Sequence, residues 1–251
     1  MADFKTHIAG SSLLGIAYGG VAYATYDVPA STCILAAGLC SVSGMLPDID
    51  SGPGRPLREI SLFLAAIVPT MLFDRFQRVG MSPESIILIG AAVYVAIRFG
   101  LVRLLKRVTV HRGMFHSLPA AIIFGELAFL LASGDDTLLR WYKAGAVVLG
   151  YVCHLVLDEL FSVQWNGIPR VKKSFGTALK IVGRGWWPNL STYAKLAVLT
   201  LVVIEEPGVM RDLHNGQMEQ VLGQISRQLP EMPLFRTAQP ETARPGDPVR
   251  R

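Results

Sequence analysis

Apolar stretches close to bilayer length recur along this chain, over roughly 8–26, 31–47, 85–102, 117–133 and 144–163. Nothing constrains its fold more. A span needs about 20 apolar residues, fewer where the bilayer adapts. Hydrocarbon offers no partner to a backbone N–H or C=O, so a spanning segment satisfies both internally, as a helix does. The expected fold is therefore all-α, a multi-span transmembrane helical bundle. Composition agrees: 51% of the residues are hydrophobic and 17% charged, respectively above and below the usual shares of a soluble domain. Two weaker segments are less decided. Segment 60–73 carries Pro69 and ends at Asp74-Arg75, which suits a short span or a re-entrant piece. Segment 193–204 is too short to span alone and equally suits the interface.

Beyond residue 204 the character changes. Met218, Val221, Leu222, Ile225 and Leu229 follow helical spacing, which predicts a short C-terminal amphipathic helix near 216–229. Residues 230–251 are rich in Pro and charge without periodicity, the composition of a disordered tail. The expected organisation is a membrane-embedded domain over 1–204, an amphipathic segment over 205–229 and a tail over 230–251. Cys33, Cys40 and Cys153 lie in apolar segments, odd in number and without CxxC spacing, so buried reduced thiols are expected. Near the N-terminus, Lys5 and Ala22-Tyr23-Ala24 resemble parts of a signal peptide. Gly15, Gly19 and Gly20 interrupt the apolar run, and an uncleaved first helix is the reading adopted.

Loop charge predicts orientation. Segment 103–112 carries Arg103, Lys106, Arg107 and Arg112, and segment 164–195 carries Arg170, Lys172, Lys173, Lys180, Arg184 and Lys195, both without an acid. Segment 134–143 is mixed. The positive-inside rule puts the first two in the cytoplasm and the third outside. The net charge of +5 thus speaks to topology, and nucleic acid is not an expected partner. Trp186 and Trp187 read as interfacial anchors.

Four of the five histidines fall in or beside polar junctions of this apolar pattern. His111 and His116 bracket Arg112-Gly113, His154 stands four residues before Asp158, and His7 opens the first apolar run. His214 lies in the polar C-terminal region and matches no motif. Leu46-Pro47-Asp48-Ile49-Asp50 adds two carboxylates. Ionisable groups beside hydrocarbon are costly and are usually retained for function. His154 and Asp158 share one helix face, as a ligand pair would; a hydrogen bond that locks helix packing is the plainer alternative. Asp48 and Asp50 suit a two-metal site or an ordinary polar loop. A turn at Gly113 would bring His111 and His116 together, with Arg112 free to reach a phosphate; Ser117 suits an N-cap for the next helix. Counting helices puts all these groups on one side, provided that 60–73 crosses. Together they form a mixed oxygen and nitrogen set that zinc, manganese or iron accepts.

At these residues the chain resembles the predicted membrane-bound metal-dependent hydrolases of the YdjM-like bacterial inner-membrane family. The likeness rests on the early His7, the Leu-Pro-Asp-x-Asp element, the His-Arg-Gly-x-x-His-Ser element and the Gly-Tyr-x-x-His-x-x-x-Asp element, and covers about residues 5–165. That family is in turn considered distantly similar to zinc-dependent phospholipase C, whose His-x-x-x-Glu pair is matched here by His154 and Asp158. The resemblance implies hydrolysis in the inner membrane. The expectation is a divalent-metal centre, zinc first, at the cytoplasmic side, with His7, Asp48, Asp50, His111, His116, His154 and Asp158 as ligands. Asp50 and Arg112 would act in catalysis, Asp50 as bridging ligand or base and Arg112 on the phosphate of a lipid-like phosphoester. A non-enzymatic metal-binding membrane protein that tethers a cytoplasmic partner is the competing class. Ion transport ranks last, Arg98 being its main mid-sequence candidate.

Overall fold

The computed structural model describes residues 3–51, 55–101, 114–134, 136–164, 170–171, 179–183, 185–214 and 216. The expected amphipathic helix near 216–229 and the tail over 230–251 lie outside them. The chain divides into two units, Met1–Val209 and Met210–Arg251; the fold below is that of the first.

Helix α1 (Phe4–Tyr26) is started by Asp3, whose carboxylate accepts the Thr6 amide at 2.9 Å. The Thr6 hydroxyl and then its amide hold the Asp3 carboxyl below its usual pKa. One face of α1 is buried, at His7, Ser11, Gly15, Gly19 and Ala22. That is a stripe of small side chains with an imidazole at its head, the pattern that lets membrane helices approach closely. Helix α2 (Ala30–Ser43) lies against it. The Ser11 hydroxyl reaches Ser41 O at 2.9 Å and Cys33 to Cys40 provide the facing surface.

After α2 the chain makes a 3-10 turn, Leu46–Ser51. Helix α3 (Arg55–Arg78) follows without interruption through Pro69. This corrects the re-entrant alternative for 60–73: a membrane helix tolerates an interior proline, and 24 residues form one rod. Helix α4 (Pro83–Val95) is capped by Ser82 and runs on as a π turn, Ala96–Leu101. It returns along α3, since Arg98 Nη1 donates to Ser61 Oγ at 3.0 Å. Helix α5 (Leu118–Leu131) is capped by Ser117, as its sequence suggests. Helix α6 (Thr137–Leu160) buries Arg140, Ala144, Val147, Tyr151, His154 and Asp158 along one stripe. A minimal antiparallel pair follows, β1 (Val163–Gln164) with β2 (Arg170–Val171). Helix α7 (Trp186–Ile204) then leads into α8 (Pro207–His214).

Among the described residues, three stretches are long and apolar enough to cross a membrane: Ala30–Asp48, Pro83–Gly100 and Trp186–Ile204. The last corrects the reading of 193–204 as too short. The helix starts at Trp186, so the Trp-Trp-Pro-Asn opening belongs to it. Both tryptophans are exposed. Cys33, Cys40 and Cys153 are free thiols, the first two buried and Cys153 partly so.

Packing is closest where α6 meets α2. A Cβ on Gly150 would overlap Cys40 O and Ser43 Oγ, so only glycine lets these helices touch there. The main core joins α2, α5 and α6 through Leu39, Ala121, Ala128, Val147, Tyr151 and Leu155. At the end of this unit where α3 and α7 finish and α6 begins, a charge clasp closes it. Glu206 accepts from Arg75 at 2.9 Å and pairs with Arg140 at 3.0 Å. The Arg140 guanidinium also donates to Phe129 O and lies over the Phe129 ring.

Candidate metal centre

The opposite end gathers imidazoles and carboxylates from four places in the chain. His7 comes from the second turn of α1, Asp48 from the 3-10 turn, His116 from just before α5, and His154 with Asp158 from the last turns of α6. His154 is central and fully buried. Its ring stacks on His7 at 3.7 Å between centroids and meets His116 edge-on at 5.7 Å. His7 Nε2 lies 3.3 Å from Asp158 Oδ1, His154 Nε2 lies 3.7 Å from both Asp158 Oδ2 and Asp48 Oδ1, and His116 Nε2 lies 3.8 Å from Asp48 Oδ1.

The position of each group follows from local physics. His7 heads the small-residue stripe of α1, which α2 and α6 bring into the core. His154 and Asp158 continue the buried stripe of α6. Pro47, itself buried, fixes the turn that carries Asp48. The Tyr151 hydroxyl donates to Phe115 O, pinning the strand of chain that presents His116. The Ser117 hydroxyl donates to Met114 O at 2.5 Å and tightens the same turn.

One hydrogen bond sets the chemistry of the cluster. His154 Nδ1 is 2.7 Å from Gly44 O. A carbonyl oxygen only accepts, so Nδ1 carries the proton and donates, and Nε2 turns its lone pair toward the carboxylates. That is how a ligating histidine is ordinarily held. Gly44 is required here, since a Cβ on it would clash with the Ser11 side chain and push the carbonyl away.

His154 Nε2, His7 Nδ1 and both ring nitrogens of His116 are buried without a hydrogen-bond partner among the described residues. Each orphaned polar atom costs about 1–3 kcal/mol. Two ligand triads meet at this point, His7 with His154 and Asp158, and Asp48 with His116 and His154, the donor atoms of each lying within 4.8 Å of one another. Donors about 2.1 Å from a tetrahedral ion lie roughly 3.4 Å apart, so the closest separations suit a small divalent cation. His154 belongs to both triads, so the five side chains form one contiguous group around its ring. Asp48 keeps 22% of its side chain exposed against 0–7% for the other four, so the cluster opens on the Asp48 side.

Of the seven ligand candidates, the structure brings together His7, Asp48, His116, His154 and Asp158. His111 and Arg112 lie outside the described residues, as does the side chain of Asp50, whose backbone belongs to the 3-10 turn. The sequence reading missed Gly44 and Tyr151. Tyr151 stands inside one of the motifs, where its buried hydroxyl was the available signal; a carbonyl such as that of Gly44 leaves none.

Fold and cluster together define an all-α membrane protein with a buried His/Asp group at one end of its helices. The chain belongs to the YdjM inner membrane protein family, whose model matches residues 1–208. No curated protein matches it, and no solved structure does.

Proposed function

We propose that this chain is a metal-dependent hydrolase of the inner membrane, acting on a phosphoester in a lipid or lipid-like substrate. The observation that carries the reading is the gathering of four ligand-type side chains, His7, Asp48, His116 and Asp158, around His154 Nε2, an atom held with its lone pair free by the bond to Gly44. His7, Asp48, His116, His154 and Asp158 would hold the ion, zinc first, with manganese or iron as alternatives. Bound there, it would supply Lewis acidity, acidifying a water and polarising a phosphoryl oxygen.

The chain's own groups account for the rest. His154 keeps its tautomer through Gly44. Tyr151 orients the His116 turn. Asp48, on the open side, is the ligand nearest an entering headgroup. Asp50 would bridge or act as the base, and Arg112, next to His111, would neutralise phosphate charge through its fork of donors. The basic residues of 103–112 and 164–184, which carry no acid between them, favour a cytoplasmic site in a multi-pass chain by the positive-inside rule.

A second reading has its own support. Five protein donors can close a coordination sphere, and a closed site is structural rather than catalytic. The protein would then be a metal-stabilised membrane platform for a cytoplasmic partner. Protein purified in detergent should carry roughly one equivalent of zinc, manganese or iron, and His154→Ala should lose most of it. Unchanged metal content in that variant would overturn the ligand assignment. Metal-loaded protein that leaves every lipid and soluble phosphoester intact would favour the platform.

A further inference from the structure

Beside the His/Asp cluster lies a cavity of about 280 Å³, walled by α2, α3, the π turn after α4, α5 and α6. Of its lining residues only Ser43 is polar, and the Ser43 hydroxyl is already spent on Cys40 O at 2.9 Å. A water needs two to four polar partners and finds none here. Apolar space of this size is costly to leave unfilled.

Three observations identify the occupant. The first is capacity: a cavity of about 150 Å³ accepts benzene, so this one holds roughly ten to twelve carbons. A helix about 10 Å across does not enter it, whereas a single hydrocarbon chain does. The second is the mouth: Leu127 lines the cavity yet keeps 37% of its surface exposed, so the space opens on the outer side of this unit, where lipid chains lie. The third is nearness to the cluster along the chain, although none of the five cluster side chains lines the cavity. Leu46 lines the cavity two residues before Asp48 in one 3-10 turn, and Ser43 adjoins Gly44. Val147 precedes His154 by two turns on the buried stripe of α6, about 10 Å along the helix.

We propose that this cavity holds one acyl chain of a membrane lipid whose headgroup is presented at the His/Asp cluster. The headgroup's fate rests on the hydrolase reading; the chain's place in the cavity does not. The substrate class narrows accordingly, to phospholipids with at least one chain of roughly ten carbons or more. Short water-soluble phosphoesters would lack this binding energy.

The test uses the full chain in nanodiscs containing a phosphatidic acid with a photoreactive diazirine near the end of one chain. Cross-links mapped by mass spectrometry should fall on inward-facing positions such as Phe63, Ile67 and Leu131. A probe whose chain ends in a carboxylate should not label them. Ala128→Phe should fill the space and cut this labelling by about tenfold or more, with metal content unchanged; Ile67→Trp gives an independent filling should the first variant fail to fold. Labelling confined to outer positions such as Ile87 and Leu88, or inward labelling untouched by both fillings, would overturn the proposal. Hydrolysis of a soluble phosphodiester without inward labelling would sink the acyl pocket and leave the hydrolase standing. Inward labelling with no hydrolysis of any phosphoester would do the reverse.

Discussion

At the scale of single residues, the cluster depends on groups that carry no charge themselves. Gly44 donates nothing by its side chain, yet its carbonyl fixes the His154 tautomer at 2.7 Å. Tyr151 holds Phe115 O and through it the aim of His116. Outer partners of this kind typically govern metal affinity by 10–100-fold. Tyr151→Phe should therefore weaken metal binding by about tenfold in a competition titration with a chelator, while the helical signal stays unchanged. An affinity equal to wild type would mean that Ser117 alone sets the turn. The five gathered side chains were legible in sequence because imidazole and carboxylate beside hydrocarbon are costly enough to demand a reason. Gly44 was not legible, because every residue has a carbonyl and only the fold decides which one an imidazole meets.

At the scale of elements, the sequence located the apolar helices and misjudged some of their limits. α1 begins at Phe4 rather than near residue 8, because Asp3 supplies a cap that hydropathy does not see. α7 reaches back to Trp186 through polar residues with no side-chain cap, its first turn tied instead by Asn189, whose side chain accepts from Gly183 N at 2.7 Å and donates to Gly183 O at 2.9 Å. The tight contacts came from glycines, two of them, Gly15 and Gly19, first read as interruptions of an apolar run and one, Gly150, as the opening of a motif. Gly15 and Gly19 sit on the buried stripe of α1, and an added Cβ on Gly19 would come within 2.9 Å of Cys33 O. Gly150 is the sharpest case, since the atoms facing it include α2 backbone, which cannot swing aside. Gly150→Val should destabilise the protein by about 1–3 kcal/mol or more in thermal unfolding, and release metal as His154 shifts. Gly20 faces open space, so Gly20→Ala should be neutral or stabilise by up to about 1 kcal/mol. Equal effects at both positions would show that helix propensity, not contact, governs these glycines.

At the scale of the whole membrane unit, two unlike clusters occupy opposite ends, and the helices that join them fix the topology. α3 leaves the 3-10 turn that carries Asp48 and finishes at Arg75 in the clasp with Glu206 and Arg140. Its 24 residues span about 36 Å, more than the roughly 30 Å hydrocarbon core. Pro69 within its apolar run and Asp74-Arg75 at the end of it are why the sequence left 60–73 undecided. α4 runs back beside it, as the Arg98 to Ser61 bond requires. The turn at Gly80 then lies on the clasp side and the π turn Ala96–Leu101 on the opposite one. Reporters fused after residue 80 and after residue 112 should read opposite compartments, the second cytoplasmic. The clasp should hold the far ends of α3, α6 and α7 together: with Arg140 5% exposed at its side chain, Glu206→Gln would strand a buried guanidinium and cost about 3–5 kcal/mol. Arg140→Met with Glu206→Gln together should recover most of that loss, because the double change removes the unpaired charge. If the double variant unfolds as readily as the single one, the clasp does not join these helices as a charge pair, and the antiparallel path of α3 must be held by apolar contact alone.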